Sequence, residues 1–230
     1  RLSETIVPFG TPWLGYDYQP HPDSVTVMNY STGKMVKNND TRSVAIYASY
    51  TGLLWKKGID QTWVDERVDE DDILIVRYAE MLLTYAEAKI ELNQIDQSVL
   101  DAINQVRARA YGVDVSATTL YPAITTTDQQ QLRSIVRRER RVEFANEGLR
   151  YMDLMRWRII GKALTRPAVG LVDPANQDRS KWPFPGVPPI DADGIPDFSA
   201  EISAGEVKVL ALRSFDTTRQ YLWPIPAVEL

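Results

Sequence analysis

Five aromatic residues, Trp13, Tyr16, Tyr18, Trp55 and Trp63, lie in one stretch of the chain beside Asn38, Asn39, Asp40 and Arg42. A flat aromatic ring stacks on the apolar face of a sugar, while amides and charged groups bond its hydroxyls. Small-ligand sites generally combine apolar walls with a few polar groups of this kind. On that chemistry the candidate ligand-binding residues are Trp13, Tyr16, Trp55 and Trp63, with Asn39, Asp40 and Arg42 as polar partners. The competing assignment makes each aromatic a core anchor beneath a loop. Recognition residues concentrate on loops carried by a rigid scaffold, which favours this stretch as the recognition surface.

Other chemistry has little support. The chain holds no cysteine, which excludes disulfides, thiolate zinc sites and cysteine nucleophiles. His21, the single histidine, sits between Pro20 and Pro22. No Gly-x-Ser-x-Gly elbow and no phosphate-cradling glycine loop occurs. A glycosidase needs two carboxylates spaced across a sugar cleft, and the sequence locates no such pair. The run Asp69-Glu70-Asp71-Asp72 suits the positive end of a helix dipole. It also has calcium-type oxygen ligands, but the EF-hand pattern is absent. We expect no enzyme activity, no cofactor and no metal.

The segment Arg137-Arg138-Glu139-Arg140-Arg141-Val142-Glu143-Phe144-Ala145-Asn146-Glu147-Gly148-Leu149-Arg150 is the most distinctive. Glu139, Glu143 and Glu147 recur every four residues and share one helix face, with basic side chains three or four residues away. An anion or nucleic-acid site is one reading, and an ion-pair lattice is the other. The interleaved acids and a net charge of −5 favour the lattice and argue against a nucleic-acid partner. Arginine's planar fork suits such partly buried pairing. Residues 60–96 carry eleven acids against three bases, whereas residues 128–158 carry eight arginines against five acids. The two blocks are expected to attract each other.

These residues need elements to hold them. The 230 residues are 44% hydrophobic and 25% charged, ordinary for a globular chain. No run of 18 apolar residues exists, so no membrane-spanning helix is expected. Arg1-Leu2-Ser3-Glu4 shows neither an initiator Met nor a signal-peptide pattern, which suggests a processed product or a fragment. Residues 1–70 read as loops and short strands, with Ser43–Tyr50 as one strand. From residue 71 to 230 the pattern is helical and then proline-rich. Ile75, Ala79, Leu82, Ala86 and Ile90 form one apolar stripe, with Asp71 or Asp72 as its cap. Val99, Ile103, Val106 and Ala110 form a second, ending at Gly112. A third helix is expected over 128–146 and a shorter one over 149–158. Seven prolines between Pro167 and Pro196 mark a long irregular segment packed over the helices or lining a functional surface.

Four segments then resemble the SusD/RagB family of nutrient-binding outer-membrane lipoproteins, in its C-terminal half. Arg77-Tyr78-Ala79-Glu80-Met81-Leu82-Leu83-Thr84-Tyr85-Ala86-Glu87-Ala88 is similar to the family's R-x-A-E-x-x-L-x-x-A-E-A helix. Ala102 to Ala110 is similar to its I-N-x-V-R-x-R-A helix. Arg138 to Trp157 resembles E-R-R-x-E followed by E-G-x-R-x-x-D-L-x-R-W. Tyr221-Leu222-Trp223-Pro224-Ile225-Pro226, with Glu229-Leu230, is similar to the closing L-x-P-I-P-x-x-E-L. The resemblance implies a mostly α fold of tetratricopeptide-like helix pairs with long irregular loops and few short strands. It further implies capture of an oligosaccharide or other nutrient at the outer face of the outer membrane, and delivery to a SusC-like TonB-dependent transporter. Residues 1–70 would be the variable ligand-facing region and 71–230 the helical region. The family's lipid-bearing cysteine and first helical repeats have no counterpart here, so the missing N-terminal half, or another chain, is expected to cover part of the surface. A tetratricopeptide-like protein-interaction scaffold and a carbohydrate-active enzyme are the alternatives.

Overall fold

A computed structural model describes residues 1–60, 62, 74–184 and 186–222. Trp63, the acidic run 69–72, the expected boundary at residue 70 and the closing Pro224-Ile225-Pro226 motif lie outside the described residues. The elements run α1 (Leu2–Thr5), β1 (Thr11–Trp13), β2 (Tyr16–Tyr18), β3 (Thr26–Asn29) and β4 (Lys34–Lys37). Then follow α2 (Tyr78–Glu91), α3 (Gln97–Tyr111), α4 (Gln129–Glu143), α5 (Leu149–Arg156) and α6 (Ile160–Thr165). β5 (Ala168–Gly170), α7 (Ser199–Ser203) and β6 (Lys208–Ala211) complete them. Helices dominate and the strands are short, the expected class. No described helix is long and apolar enough to cross a membrane.

α2 and α3 form a helical hairpin, and α4 packs against α2 and α3. Asp96 caps α3 by accepting from the Ser98 backbone N–H at 3.0 Å. Gly112 ends that helix at φ +68°, a conformation that a Cβ would strain. Asp128 caps α4 through the Gln131 N–H at 2.7 Å. The shared core holds Leu83, Ile90, Val99, Ile103, Leu132 and Val136, each with no measurable exposure. Two expected boundaries shift. The buried stripe of α2 is Ala79, Leu83, Ala86 and Ile90, and Ile75 precedes the helix and is exposed. α4 stops at Glu143, short of Asn146, which sits at φ +63°.

The α4 charges pair between elements, as a lattice tying this helix to its neighbours requires. Among the described residues no ion pair joins two residues of α4. Glu139 accepts from Arg107 of α3 at 2.9 Å. Glu143 pairs with Arg77 (2.5 Å), Arg109 and Arg1. Arg140 holds Asp153 of α5 through two bonds of 2.9 and 3.0 Å and donates to Thr84 of α2. Glu87 of α2 takes Arg156 and the Trp157 indole N–H at 2.6 Å. Arg133 reaches Glu91, so the acidic and basic blocks do meet.

Ser43–Tyr50 is not a strand. Val44 and Ala45 N–H groups both donate to the Thr41 carbonyl, and Ala48 N–H donates to that of Ala45. Buried Ala45 and Ala48 are three residues apart, so successive turns place both inward where alternation could not. The strands of this region form instead an antiparallel meander in the order β1-β2-β3-β4. Its own small core is Val7, Trp13 and Tyr18. This layer joins α4 through Lys57 Nζ on the Glu143 carbonyl at 2.7 Å, and the segment after β5 through Leu171 N–H on the Tyr50 carbonyl at 2.8 Å. A Cβ on Gly170 would lie 2.6 Å from that same Tyr50 oxygen, so the seam requires glycine there.

The Arg140–Asp153 pair is about 5% exposed on each side. Removing one member of a buried pair leaves the other uncompensated, at a cost of roughly 3–5 kcal/mol. Asp153→Ala is therefore expected to lower unfolding stability by that amount in urea denaturation. Lys208→Ala, which removes an exposed pair with Asp173 at 3.2 Å, should change it by under ~1 kcal/mol. Equal effects of the two would show that the buried pair carries no special weight.

Candidate functional site

The meander shapes a cleft of about 560 Å³. β1 and β2 are joined by Leu14 and Gly15, at φ +47° and +81°. Two successive residues at positive φ make the tight turn whose twist matches paired strands. Trp13 and Tyr16 are direct cross-strand partners, as are Thr11 and Tyr18. Side chains directly opposite one another, or two apart on a strand, share a face, so Trp13, Tyr16 and Tyr18 all reach the cleft. Val27 and Val36, opposite one another on β3 and β4, extend the apolar floor, with Leu54.

The polar rim is Asn29, Lys37, Asn39 and Asp40. Buried Asn38 sets the last two in place. Its amide donates to the Gln19 and Ser24 carbonyls at 2.7 and 2.5 Å, and its oxygen accepts the Asp40 N–H at 2.9 Å. The Asp40 carboxylate accepts no hydrogen bond among the described residues. Burial pushes its pKa above the usual aspartate value. Burial and then the Asp40 charge push the Tyr18 phenol upward, and that phenol donates to the Gly52 carbonyl at 2.8 Å. Trp13 is 6% exposed, and its indole N–H is buried without a partner. The cleft thus offers aromatic surface beside a carboxylate without a partner, groups that a hydroxyl-rich ligand can use.

Of the residues singled out from the sequence, the fold gathers Trp13, Tyr16, Asn39 and Asp40 here. Trp13 is mostly floor, and Tyr16 is 42% exposed. Trp55 is also exposed, but it pairs with Ile6 and does not line the cleft. Its neighbour Leu54 does, and adjacent residues of extended chain face opposite ways. Arg42 also lies elsewhere. Its guanidinium sits 4.1 Å over the Tyr50 ring and reaches Asp173 at 3.4 Å. The void beside it, about 10 Å³, is too small for a sugar. Trp63 is outside the described residues. Tyr18, Asn29 and Lys37 were not singled out for the site. The alternation of Thr26–Asn29 and Lys34–Lys37 around a glycine-containing turn is the signal that could have found the second hairpin. Among the described residues, no cluster of three or more His, Asp or Glu is arranged to hold a metal ion.

The architecture is a set of packed helices bearing a loop-rich β layer with an open aromatic cleft. The SusD family model matches residues 1–230, and the chain belongs to that family. SusD-like protein P38 of Formosa agariphila is 29% identical over 188 residues, 79% of this chain and 36% of that protein. SusD-like protein P25 of the same organism is 32% identical over 138 residues, 56% of this chain and 24% of that protein. A solved SusD-like carbohydrate binding protein from Bacteroides fragilis superposes with a TM-score of 0.62 at 30% identity, covering 99% of this chain and 39% of its own. A second SusD-like structure from that organism shares the fold at a TM-score of 0.57 and 23% identity, covering 98% of this chain and 35% of its own. The chain spans well under half the length of these relatives.

The raised Asp40 pKa has a consequence for stability. The fold prefers the neutral carboxyl, so the ionised form opposes folding and stability falls as pH rises through the folded-state pKa. Asp40→Asn should raise the melting temperature at pH 7. The gain should vanish below about pH 3, well under the ordinary aspartate pKa of about 3.9, where the carboxyl is protonated in both states. A gain that persisted in acid would show that charge burial is not its cause.

Proposed function

We propose that the cleft binds a glycan, with the sugar face on Tyr16 and the floor of Trp13, and with its hydroxyls bonded by Asn39 and Asp40. The observation that carries this reading is the convergence of those four side chains in one open cleft, where the Asp40 carboxylate accepts no hydrogen bond among the described residues. A solved relative at 30% identity is described as a carbohydrate binding protein, which supports the same ligand class. In this reading the protein captures nutrient glycan at the outer face of the outer membrane and passes it, uncleaved, to a SusC-like TonB-dependent transporter. Residues 1–70 face the ligand, and the helical region from 71 onward is the support.

Calorimetry against a glycan panel tests the site. With a glycan that binds, Tyr16→Ala should weaken affinity by roughly 1–3 kcal/mol, the scale of aromatic stacking on bases, with the melting temperature preserved. Trp55→Ala should have little effect. If Trp55→Ala weakens binding and Tyr16→Ala does not, the site lies away from the cleft. The bound glycan should be recovered intact after long incubation.

A partner is proposed for α2 as well. Tyr78, Met81, Tyr85 and Leu92 recur along its outer face and are exposed, as are Leu74, Ile75 and Val76 just before it. A helix apolar on both faces is ordinarily buried. We infer that polypeptide equivalent to the part of the relatives that this chain does not span covers that face. The 230-residue chain alone should then bind a hydrophobic dye and self-associate in sedimentation. A triple change of Tyr78, Met81 and Tyr85 to Lys should suppress both without lowering the melting temperature. A monodisperse parent that binds no dye would overturn this assignment.

A further inference from the structure

A second cavity, larger than the aromatic cleft at about 600 Å³, lies among α5, α6, β5, α7 and the proline-rich segment. Its volume is in the range of small-molecule pockets, and its wall is mainly apolar, including Leu53, Leu154, Leu164, Val169, Phe184 and Phe198. Four charged side chains on that wall form no ion pair among the described residues: Arg141, Arg150 and Glu201, and Arg213, which is exposed and donates to the Arg166 carbonyl.

Three neighbours in the arginine-rich run are committed to carboxylates: Arg137 to Asp193, Arg140 to Asp153 and Arg156 to Glu87. Among the described residues, Arg141 and Arg150 form no ion pair. Arg141 donates only to the Gly194 carbonyl. Arg150 Nη1 is buried with no hydrogen-bond partner, and so is Glu201 Oε2. These two do not pair with each other. A buried polar atom left without a partner is costly, and the cost is larger for a charged group. Burial, then the nearby Arg141 charge, pulls the Arg150 guanidinium down to about 10. An anion beside Arg150 would relieve both effects. A donor beside Glu201 would satisfy its Oε2.

We propose that this cavity is a second ligand site, for an amphipathic organic acid: its carboxylate bonds Arg150, its apolar body lies against Leu154 and Phe184, and a hydroxyl or amine donates to Glu201. No bond is made or broken, and the site is separate from the aromatic cleft. Arginine is suited to the acid end, because its fork engages a carboxylate through parallel N–H bonds.

Calorimetric titration with 3-(4-hydroxyphenyl)propanoate, its primary amide and 3-phenylpropanoate tests the assignment on the intact protein. The acid should bind saturably, about ten- to a hundredfold tighter than the amide, the span expected for a hydrogen bond to a charged group. The analogue without the hydroxyl should bind more weakly than the parent acid. Arg150→Met should erase the preference for acid over amide, and Glu201→Gln should leave that preference in place. Arg150→Met should keep its melting temperature, since Nη1 makes no bond to lose. If the variant does not fold, the comparison of acid with amide on the unmodified protein still decides. Equal affinity for the two, an acid preference that survives Arg150→Met, or no saturable binding of the acid overturns the proposal.

Discussion

The structure depends on one arrangement of charge: carboxylates of α4 buried against arginines from other elements. Glu139 and Glu143 are 3% and 6% exposed, and each is met by arginines from outside its own helix. Arg140, equally buried, faces the other way to Asp153. α4 therefore binds α3, the segment before α2 and α5 through fixed, directional contacts. Buried charges tolerate little displacement, because a carboxylate that loses its partner in a dry interior is costly. The apolar core around Leu83, Ile103 and Val136 supplies most of the driving force. The ion pairs select one mutual orientation of the helices that bury it.

That orientation extends to the β layer. Lys57 bonds both the Glu143 carbonyl and the Glu147 side chain, and Arg1 reaches Glu139 and Glu143. The end of α4 thus anchors the layer that carries the cleft. The rest of the seam combines backbone contact at Tyr50 with Gly170 and Leu171 and side-chain contacts such as Arg42 with Asp173. Within the layer, short strands and two tight hairpins hold the side chains, with Asn38 bonding three backbone groups. Rim residues such as Tyr16, Lys37 and Asn39 are exposed and outside this bonding, so their identities can vary without disturbing the support.

Polar groups divide accordingly. In the lattice, each buried carboxylate meets an arginine of another element, although the Arg137 Nε finds no hydrogen-bond partner. Beside the aromatic cleft the Trp13 indole N–H has no partner, and in the second cavity neither do Arg150 Nη1 and Glu201 Oε2. Buried polar groups in folded proteins are ordinarily satisfied, so unsatisfied ones beside a cavity mark where a ligand's bonding would be gained. Leu14 adds a local sign of the same kind, a leucine at positive φ in the turn that lines the cleft.

The sequence by itself determined the helices and the family. A 3.6-residue period, the start of α4 at Asp128 and the end of α3 at Gly112 are local signals, and local backbone chemistry is enough to end or begin a helix. The motifs were legible for the same reason, and so was the stretch that holds the cleft. Tertiary structure decided which charges meet. Arg77 and Glu143, or Glu87 and Arg156, lie more than sixty residues apart, and no periodicity relates them. It decided that Ser43–Tyr50 turns, because packing of Ala45 and Ala48 outweighed a weak alternation. It also separated Tyr16 from Trp55 and Arg42, which composition alone had grouped. Which face of a strand meets a cleft depends on register with a partner strand, and a one-residue step in register reverses it.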